Sequence, residues 1–126
     1  MTTQPLAAQS QKLAWDAMRT LQGVSITYHL DTTSSVVIES AVRTKPRTDQ
    51  RNTGEETIIE SRHWDWLIDP DGLYLENQRI IPAIGHFIVT GTDRFNLRPR
   101  GSSEDCWRYS DGFKTFVRIY CEEVDA

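Results

Sequence analysis

The stretch Gly85-His86-Phe87-Ile88-Val89-Thr90-Gly91-Thr92-Asp93-Arg94-Phe95-Asn96-Leu97-Arg98-Pro99 decides the fold class. Phe87 and Val89 alternate with His86, Ile88 and Thr90, and Phe95, Leu97 and Pro99 alternate with Arg94, Asn96 and Arg98. A period of two marks a strand with one face buried. Gly91-Thr92-Asp93 between the two runs is turn chemistry, because Gly accepts a positive φ and Asp can bond its own backbone. Downstream lie Cys106-Trp107-Arg108-Tyr109, a turn at Ser110-Asp111-Gly112, and a last apolar-alternating run from Phe116 to Val124. From Gly85 to Val124 the chain therefore reads as strand, turn, strand, turn and a long closing hairpin.

Upstream the same pattern continues. Val24, Ile26, Tyr28 and Leu30 alternate with Ser25, Thr27 and His29, and Val36, Ile38, Ser40 and Val42 oppose Val37, Glu39 and Ala41 across a turn at Asp31-Thr32-Thr33-Ser34. This pair predicts a hairpin. A long strand is predicted over Glu55–Ile68, with Trp64, Trp66 and Ile68 on one face, His63, Asp65 and Leu67 on the other, and a bulge at Ile58-Ile59. Asp69-Pro70-Asp71-Gly72 is a strong turn signal and Glu76-Asn77-Gln78 a second one. The reading is one domain over residues 1–126, mainly β. It is a small antiparallel β-barrel or sandwich spanning 24–124, with one N-terminal α-helix over 5–22 and a long polar loop over 43–54.

In the helix, Leu13, Ala14, Ala17, Met18 and Leu21 recur at helical spacing, Pro5 suits the first turn and Gly23 the stop. The stripe packs either on the sheet of its own domain or on a neighbouring subunit, and Trp15, just off it, serves either arrangement. Arg43 to Gly54 carries no apolar residue. Arg43, Lys45, Arg47 and Arg51 stand there against Asp49 alone, a local charge of +3 in a chain of net charge −4 and pI about 5.3. Polar loops of that length are usually functional or disordered. This one reads as a solvated loop or as an arm that touches acidic protein or passing nucleic acid.

An acidic chain of 126 residues is large enough for a real core and is no basic nucleic-acid-binding domain. No run approaches the ~18 apolar residues of a membrane span, and the N-terminus lacks signal-peptide features, so synthesis in a cytoplasm and no membrane partner are expected. Cys106 and Cys121 are expected as free thiols. With Tyr109 opposite Thr115 in the last hairpin, they fall three residues out of register on opposite faces. At ~3.4 Å per residue that is roughly 10 Å, beyond the ~7 Å a disulfide allows.

His29, His63 and His86 fall on different strands without metal-ligand spacing. Asp65, Asp69 and Asp71 resemble a calcium loop only superficially, since Pro70 and the missing distal Glu break the pattern. Ser102-Ser103-Glu104-Asp105 reads as a solvated turn. No phosphate loop and no nucleophile motif occurs, so no cofactor, metal or catalytic role is expected. Trp15, Trp64, Trp66 and Trp107 are core residues or, for one or two of them, anchors of a subunit contact.

The order of these features resembles the head-closure (stopper, head–tail joining) proteins of tailed phages and prophages. A short helix precedes the strand Val24-Ser25-Ile26-Thr27-Tyr28. Glu60-Ser61-Arg62-His63-Trp64-Asp65-Trp66-Leu67-Ile68 is similar to the family's "SRDFLI"-type strand, and the leucine-bearing turn Asp71-Gly72-Leu73 follows. Then come Pro82-Ala83-Ile84-Gly85-His86-Phe87-Ile88 for Pro-x-x-Gly-Asp-x-Ile and Phe95-Asn96-Leu97-Arg98-Pro99 for Tyr-x-Val-x-Pro. Trp107-Arg108-Tyr109-Ser110-Asp111 stands for Trp-Arg-x-Ser-Asp, and Arg118-Ile119-Tyr120-Cys121-Glu122-Glu123-Val124 closes the series. His86 stands where the pattern has Asp, and Phe95 where it has Tyr. The match runs from about residue 13 to 124.

The resemblance implies a non-enzymatic virion protein of the phage neck, made in the bacterial host. It would form a ring of about six or twelve copies between the portal or adaptor above and a tail protein below. The ring would close the DNA channel, with transient contact to packaged DNA, and serve tail attachment. It makes Arg43, Lys45, Arg47 and Arg51 the candidate contacts of the loop, and Leu13, Leu21, Trp15 and Trp107 those of the helix and aromatic surface. The alternatives are a tail-terminator or tail-completion protein and, from another class, a β-barrel module binding a small ligand or carbohydrate on Trp64, Trp66 and Trp107.

Overall fold

The structure is a computed structural model that describes residues 6–45, 62–99 and 105–124. Helix α1 (Leu6–Gln22) is followed by β1 (Val24–His29), β2 (Ser35–Thr44), β3 (His63–Ile68), a 3-10 turn (Pro70–Gly72), β4 (Tyr74–Leu75) and β5 (Gln78–Arg79). Then come β6 (Phe87–Thr90), β7 (Asp93–Leu97), β8 (Trp107–Tyr109) and β9 (Val117–Val124). The main sheet runs β3-β2-β1-β6-β7-β9-β8, and β3 also pairs with β9. That last pairing closes six antiparallel strands into a barrel, with β8 as an extra strand, as the alternation of the sequence predicts.

The turns follow from their residues. Thr90 faces Asp93 across Gly91-Thr92, with Gly91 at φ +58. Asp31 Oδ1 accepts from the backbone N–H of Thr33 and Ser34 and closes the β1–β2 turn. Glu76 and Asn77, both at positive φ, join β4 to β5 as a two-residue hairpin turn. In the Ser110-Asp111 turn, Asp111 Oδ1 accepts from Phe113 N and Thr115 N, its Oδ2 accepts from Thr115 Oγ1, and Ser110 Oγ accepts from Phe116 N. The Ser-Asp pair of the Trp-Arg-x-Ser-Asp motif thus ties the loop that delivers Phe116 and Val117 to β9.

Inside the barrel, Ile26, Tyr28, Trp66, Ile68, Ile88, Phe95, Leu97 and Ile119 pack into one core. A second cluster lies outside it, where Trp15 of α1 rests on Val42 and Leu67 with Met18 and Phe116 beside it. β3 lies between the two clusters, which is why Asp65, Trp66, Leu67 and Ile68 are all buried despite their alternation. Asp65, 2% exposed, is compensated by Arg118 at 2.6 Å. A bulge falls at Val24–Ile26 of β1; the one predicted at Ile58-Ile59 lies outside the described residues.

Three expectations are corrected. β2 extends through Thr44 and pairs Arg43 with Trp66, so Arg43 is a strand residue and not the start of a loop. The last hairpin pairs Tyr109 with Val117, not Thr115, because the Ser110–Asp111 hydrogen bonds hold a longer turn. Cys106, just before β8, therefore lies beside Tyr120, one position out of register with Cys121 rather than three. Both are free thiols, both are buried in the barrel core, and Cys106 O accepts from Tyr120 N at 2.8 Å. The third concerns the helix stripe, for which the sequence leaves packing on its own sheet and packing on a neighbour both open. Leu13 and Leu21 do not face the sheet, which removes the first arrangement for them; they are 71% and 82% exposed, while Ala8 and Trp15 are buried.

The reason is one side chain and its partner. Trp15, 1% exposed, stacks on Phe116 with ring centroids 4.8 Å apart and donates its indole N–H to Asp69 Oδ2 at 3.0 Å. At about 100° per residue, Ala8, Trp15 and Met18 lie roughly opposite Leu6, Leu13, Ala17 and Leu21. Burying an indole that also finds an acceptor outweighs burying a leucine. Gly23 then lets the helix end turn tightly into β1, since a Cβ there would meet Arg19 O at 2.4 Å.

Asp69 joins these groups electrostatically. Burial alone would raise its pKa, but the Trp15 indole, the Asp71 N–H and the nearby Lys12 and Arg19 hold it below the ordinary carboxylate value. A depressed folded-state pKa contributes stability above the unfolded value near 3.9 that disappears as pH falls through the folded value. Asp69→Asn is expected to lower unfolding free energy by about 1–3 kcal/mol at pH 7, and the difference from the parent should shrink below about pH 4. Urea titrations at several pH values measure both; a loss equal at pH 7 and pH 2.5 would show that the charge of Asp69 contributes nothing.

Candidate functional site: the surfaces turned away from the core

The outer face of α1 is an apolar stripe without a partner among the described residues. Leu6, Leu13 and Leu21 are 80%, 71% and 82% exposed, and Ala14 and Ala17 lie between them, also exposed. Isolated exposed leucines are ordinary; here three of them share one helix face, with Ser10 among them. Its flanks are charged: Lys12, Asp16 and Arg19 form i,i+3 and i,i+4 pairs beside it. A second apolar surface occupies another part of the chain, where Ile81 and Ile84 are 64% and 54% exposed around the buried Pro82. That segment is held by His86 N donating to Ala83 O and by Gly85 at φ +103.

The two surfaces share a rigid frame. Trp15 and Asp69 fix α1 on the barrel, so the rotation that buries Trp15 is the rotation that exposes the leucines. His86, placed where the related pattern has Asp, shares a 2.7 Å hydrogen bond with the Tyr28 hydroxyl and meets its ring edge-on. Burial pushes the His86 pKa down and the Tyr28 pKa far up, the latter helped by Cys106 and Cys121. The neutral pair pins the start of β6 to the core beside the Ile81–Ile84 surface.

Of the residues singled out from sequence, Trp15 anchors α1 to its own domain and is not available to a neighbour. Leu13 and Leu21 are. Arg43 and Lys45 lie at one end of the barrel, where the Arg43 guanidinium stacks 4.4 Å from the Trp64 ring centroid and Lys45 Nζ lies 3.8 Å from it. Arg47 and Arg51 lie outside the described residues. Trp107 packs edge-on to Tyr109 and lines a shallow crevice with Leu73 and Ile80 at the opposite end of the barrel. Trp64, Trp66 and Trp107 therefore form no common stacking platform, and Trp66 is 1% exposed.

Sequence reasoning missed the Ile81–Ile84 surface. The run Ile80-Ile81-Pro82-Ala83-Ile84 is apolar without a period, a signal that separates neither a buried strand from an exposed loop nor one face from another. It also missed the Trp15–Asp69 bond, whose partners are 54 residues apart. Asp65, Asp69 and Asp71 do not converge: Asp65 pairs with Arg118, and Asp69 with α1. Among the described residues no cluster of His, Cys, Asp and Glu could hold a metal, and no helix is long and apolar enough to cross a membrane.

The fold is thus a closed small barrel with a seated helix and exposed apolar residues on two separate elements. The chain belongs to the family described as phage head-tail joining protein, whose family model matches residues 4–126. No curated protein and no solved structure matches it. It is a structural component of the phage virion at the neck, and membership in this structural family implies interaction with other phage head and tail proteins.

If the leucines serve contacts rather than folding, their removal is nearly silent in the isolated chain. Leu13→Ser and Leu21→Ser are each expected to change unfolding free energy by no more than about 0.5–1 kcal/mol, whereas Trp15→Ala should cost about 3–5 kcal/mol. Denaturant melts of the three variants give the comparison, and a leucine variant as damaging as Trp15→Ala would place the stripe in the core of the domain.

Proposed function

We propose that copies of this chain assemble into a ring between the portal or adaptor and the tail, close the DNA channel after packaging, and present a surface to which the tail attaches. The observation that carries this reading is the outward leucine stripe of α1. A helix pinned by Trp15 and Asp69 leaves Leu6, Leu13 and Leu21 in water only at a cost that a partner would remove. A ring is built by heterologous contacts, in which one patch meets a different patch on the next copy. The α1 stripe and the Ile81–Ile84 segment supply two such patches on separate elements.

In the ring the segment after β2 is the part that reaches the channel or the adjacent ring. Arg43 and Lys45 mark its root, and Arg47 and Arg51 add to its positive charge. Six or twelve copies fit a symmetric closure. A tail-terminator or tail-completion role uses the same kind of small ring-forming domain and differs in position along the particle.

Quantitative mass spectrometry of purified particles, scaled to the major capsid protein, tests the assignment. A few to about a dozen copies per particle are expected for a ring, and absence from particles would sink it. Leu13→Glu with Leu21→Glu should leave a folded chain that no longer enters particles. Deleting residues 45–52 should likewise leave a folded domain but impair neck assembly. Infectious, DNA-filled particles carrying that deletion would remove the role of the basic segment.

A further inference from the structure

One end of the barrel is open. There the first residue of β1, the last residues of β2 and the β6–β7 turn surround a cavity of about 470 Å³, within the range of ligand sites. Its walls include Val24, Arg43, Trp66, Thr90, Thr92 and Asp93. The β2–β3 register sets Arg43 directly beside Trp66.

Three features of this mouth are left incomplete by the chain itself. The Trp66 indole N–H is buried and has no hydrogen-bond partner among the described residues. Buried polar groups are almost always paired, so an orphan donor on a cavity wall points to a missing acceptor. The Arg43 guanidinium carbon lies over the Trp64 and Phe95 rings, 4.4 and 5.7 Å from their centroids, and among the described residues its N–H edge meets no carboxylate. A guanidinium fixed by stacking with a free edge is preorganised for bidentate binding of a planar anion. Asp93, on the opposite rim, forms no ion pair with Arg43 although both line the cavity.

We propose that the barrel mouth is a socket for a carboxylate carried on a short apolar stem. The carboxylate accepts from the Arg43 edge and the Trp66 indole, the Thr92 hydroxyl adds a donor, and Val24 with the Trp66 ring contacts the stem. One cation facing one acid favours a monoanion over a phosphate dianion, which Asp93 repels. Such a carboxylate is carried by an acidic side chain of a neighbouring polypeptide or by a free carboxylic acid. The socket is a property of the single chain and does not depend on ring formation.

The test is a titration of the full ¹⁵N-labelled chain followed at its four indole N–H resonances, with Trp66 assigned by triple-resonance experiments. The probes are N-acetyl-glutamate amide, N-acetyl-glutamine amide, butyrate and inorganic phosphate. The Trp66 resonance is expected to shift saturably with the two carboxylates and not with the glutamine compound. Arg43→Gln, at an exposed position, should keep a dispersed spectrum and weaken the response by about tenfold or more. A preference of about tenfold for the capped glutamate over butyrate assigns the polypeptide source, and equal affinity assigns a free acid. An unmoved Trp66 resonance, an equal response to the glutamine compound, tighter binding of phosphate, or an unchanged response in Arg43→Gln would each overturn the proposal.

Discussion

The structure depends on the pairing of β9 with β3. β9 has β7 along the upper part of one edge and β8 along the lower part, and its other edge is taken by six consecutive residues of β3, from His63–Glu122 to Ile68–Val117. That seam turns an open sheet into a barrel and removes two exposed edges. It also creates the two environments of β3. Trp66 and Ile68 fill the interior, while Leu67 on the outside becomes part of the seat for α1. Without closure there would be neither a core for Phe95 and Leu97 nor a platform for Trp15.

The helix is attached to that platform by a small set of strong contacts. Trp15 supplies buried area and a donor, Asp69 at the end of β3 supplies the acceptor, and Phe116, delivered by the Ser110-Asp111 turn, supplies the ring beneath. Lys12 and Arg19 add charge around the same carboxylate. Few contacts suffice because each is well defined in direction, and direction is what matters for function. The rotation of α1 about its axis determines which apolar residues face water. A helix seated through its leucines would have buried the stripe and left a tryptophan outside.

For a neck protein this arrangement separates folding from assembly. The barrel core, the Tyr28–His86 pair and the Asp65–Arg118 ion pair belong to the fold. The α1 stripe, the Ile81–Ile84 segment, the basic residues Arg43 and Lys45 and the barrel mouth lie on the outside. The motifs shared with the head-tail joining family fall mostly on the first set. Ser110 and Asp111 close a turn, Gly85 takes a left-handed φ, and Ile119 fills the barrel. Such motifs transmit an architecture, since each of these residues serves a turn or the core.

What the sequence by itself determined was local. Alternation over Val24–Leu30 and Phe87–Leu97 gave strands, Gly91 and Asp31 gave turns, and helical spacing from Leu6 to Gln22 gave a helix with an apolar face, because each signal depends on residues a few positions apart. Only the tertiary structure decided what each face meets. It seated α1 through Trp15 rather than Leu13 and Leu21, since the acceptor for the indole comes from Asp69, far along the chain. It lengthened the last hairpin by the Asp111 hydrogen bonds, and it buried Cys106, which lies just before β8, in the same core as Cys121. It carried β2 through Arg43, which placed that guanidinium on Trp64 beside the barrel mouth. Periodicity states that a side chain has a side to hide; the partner that hides it, or leaves it for another molecule, is supplied by chain that arrives from elsewhere.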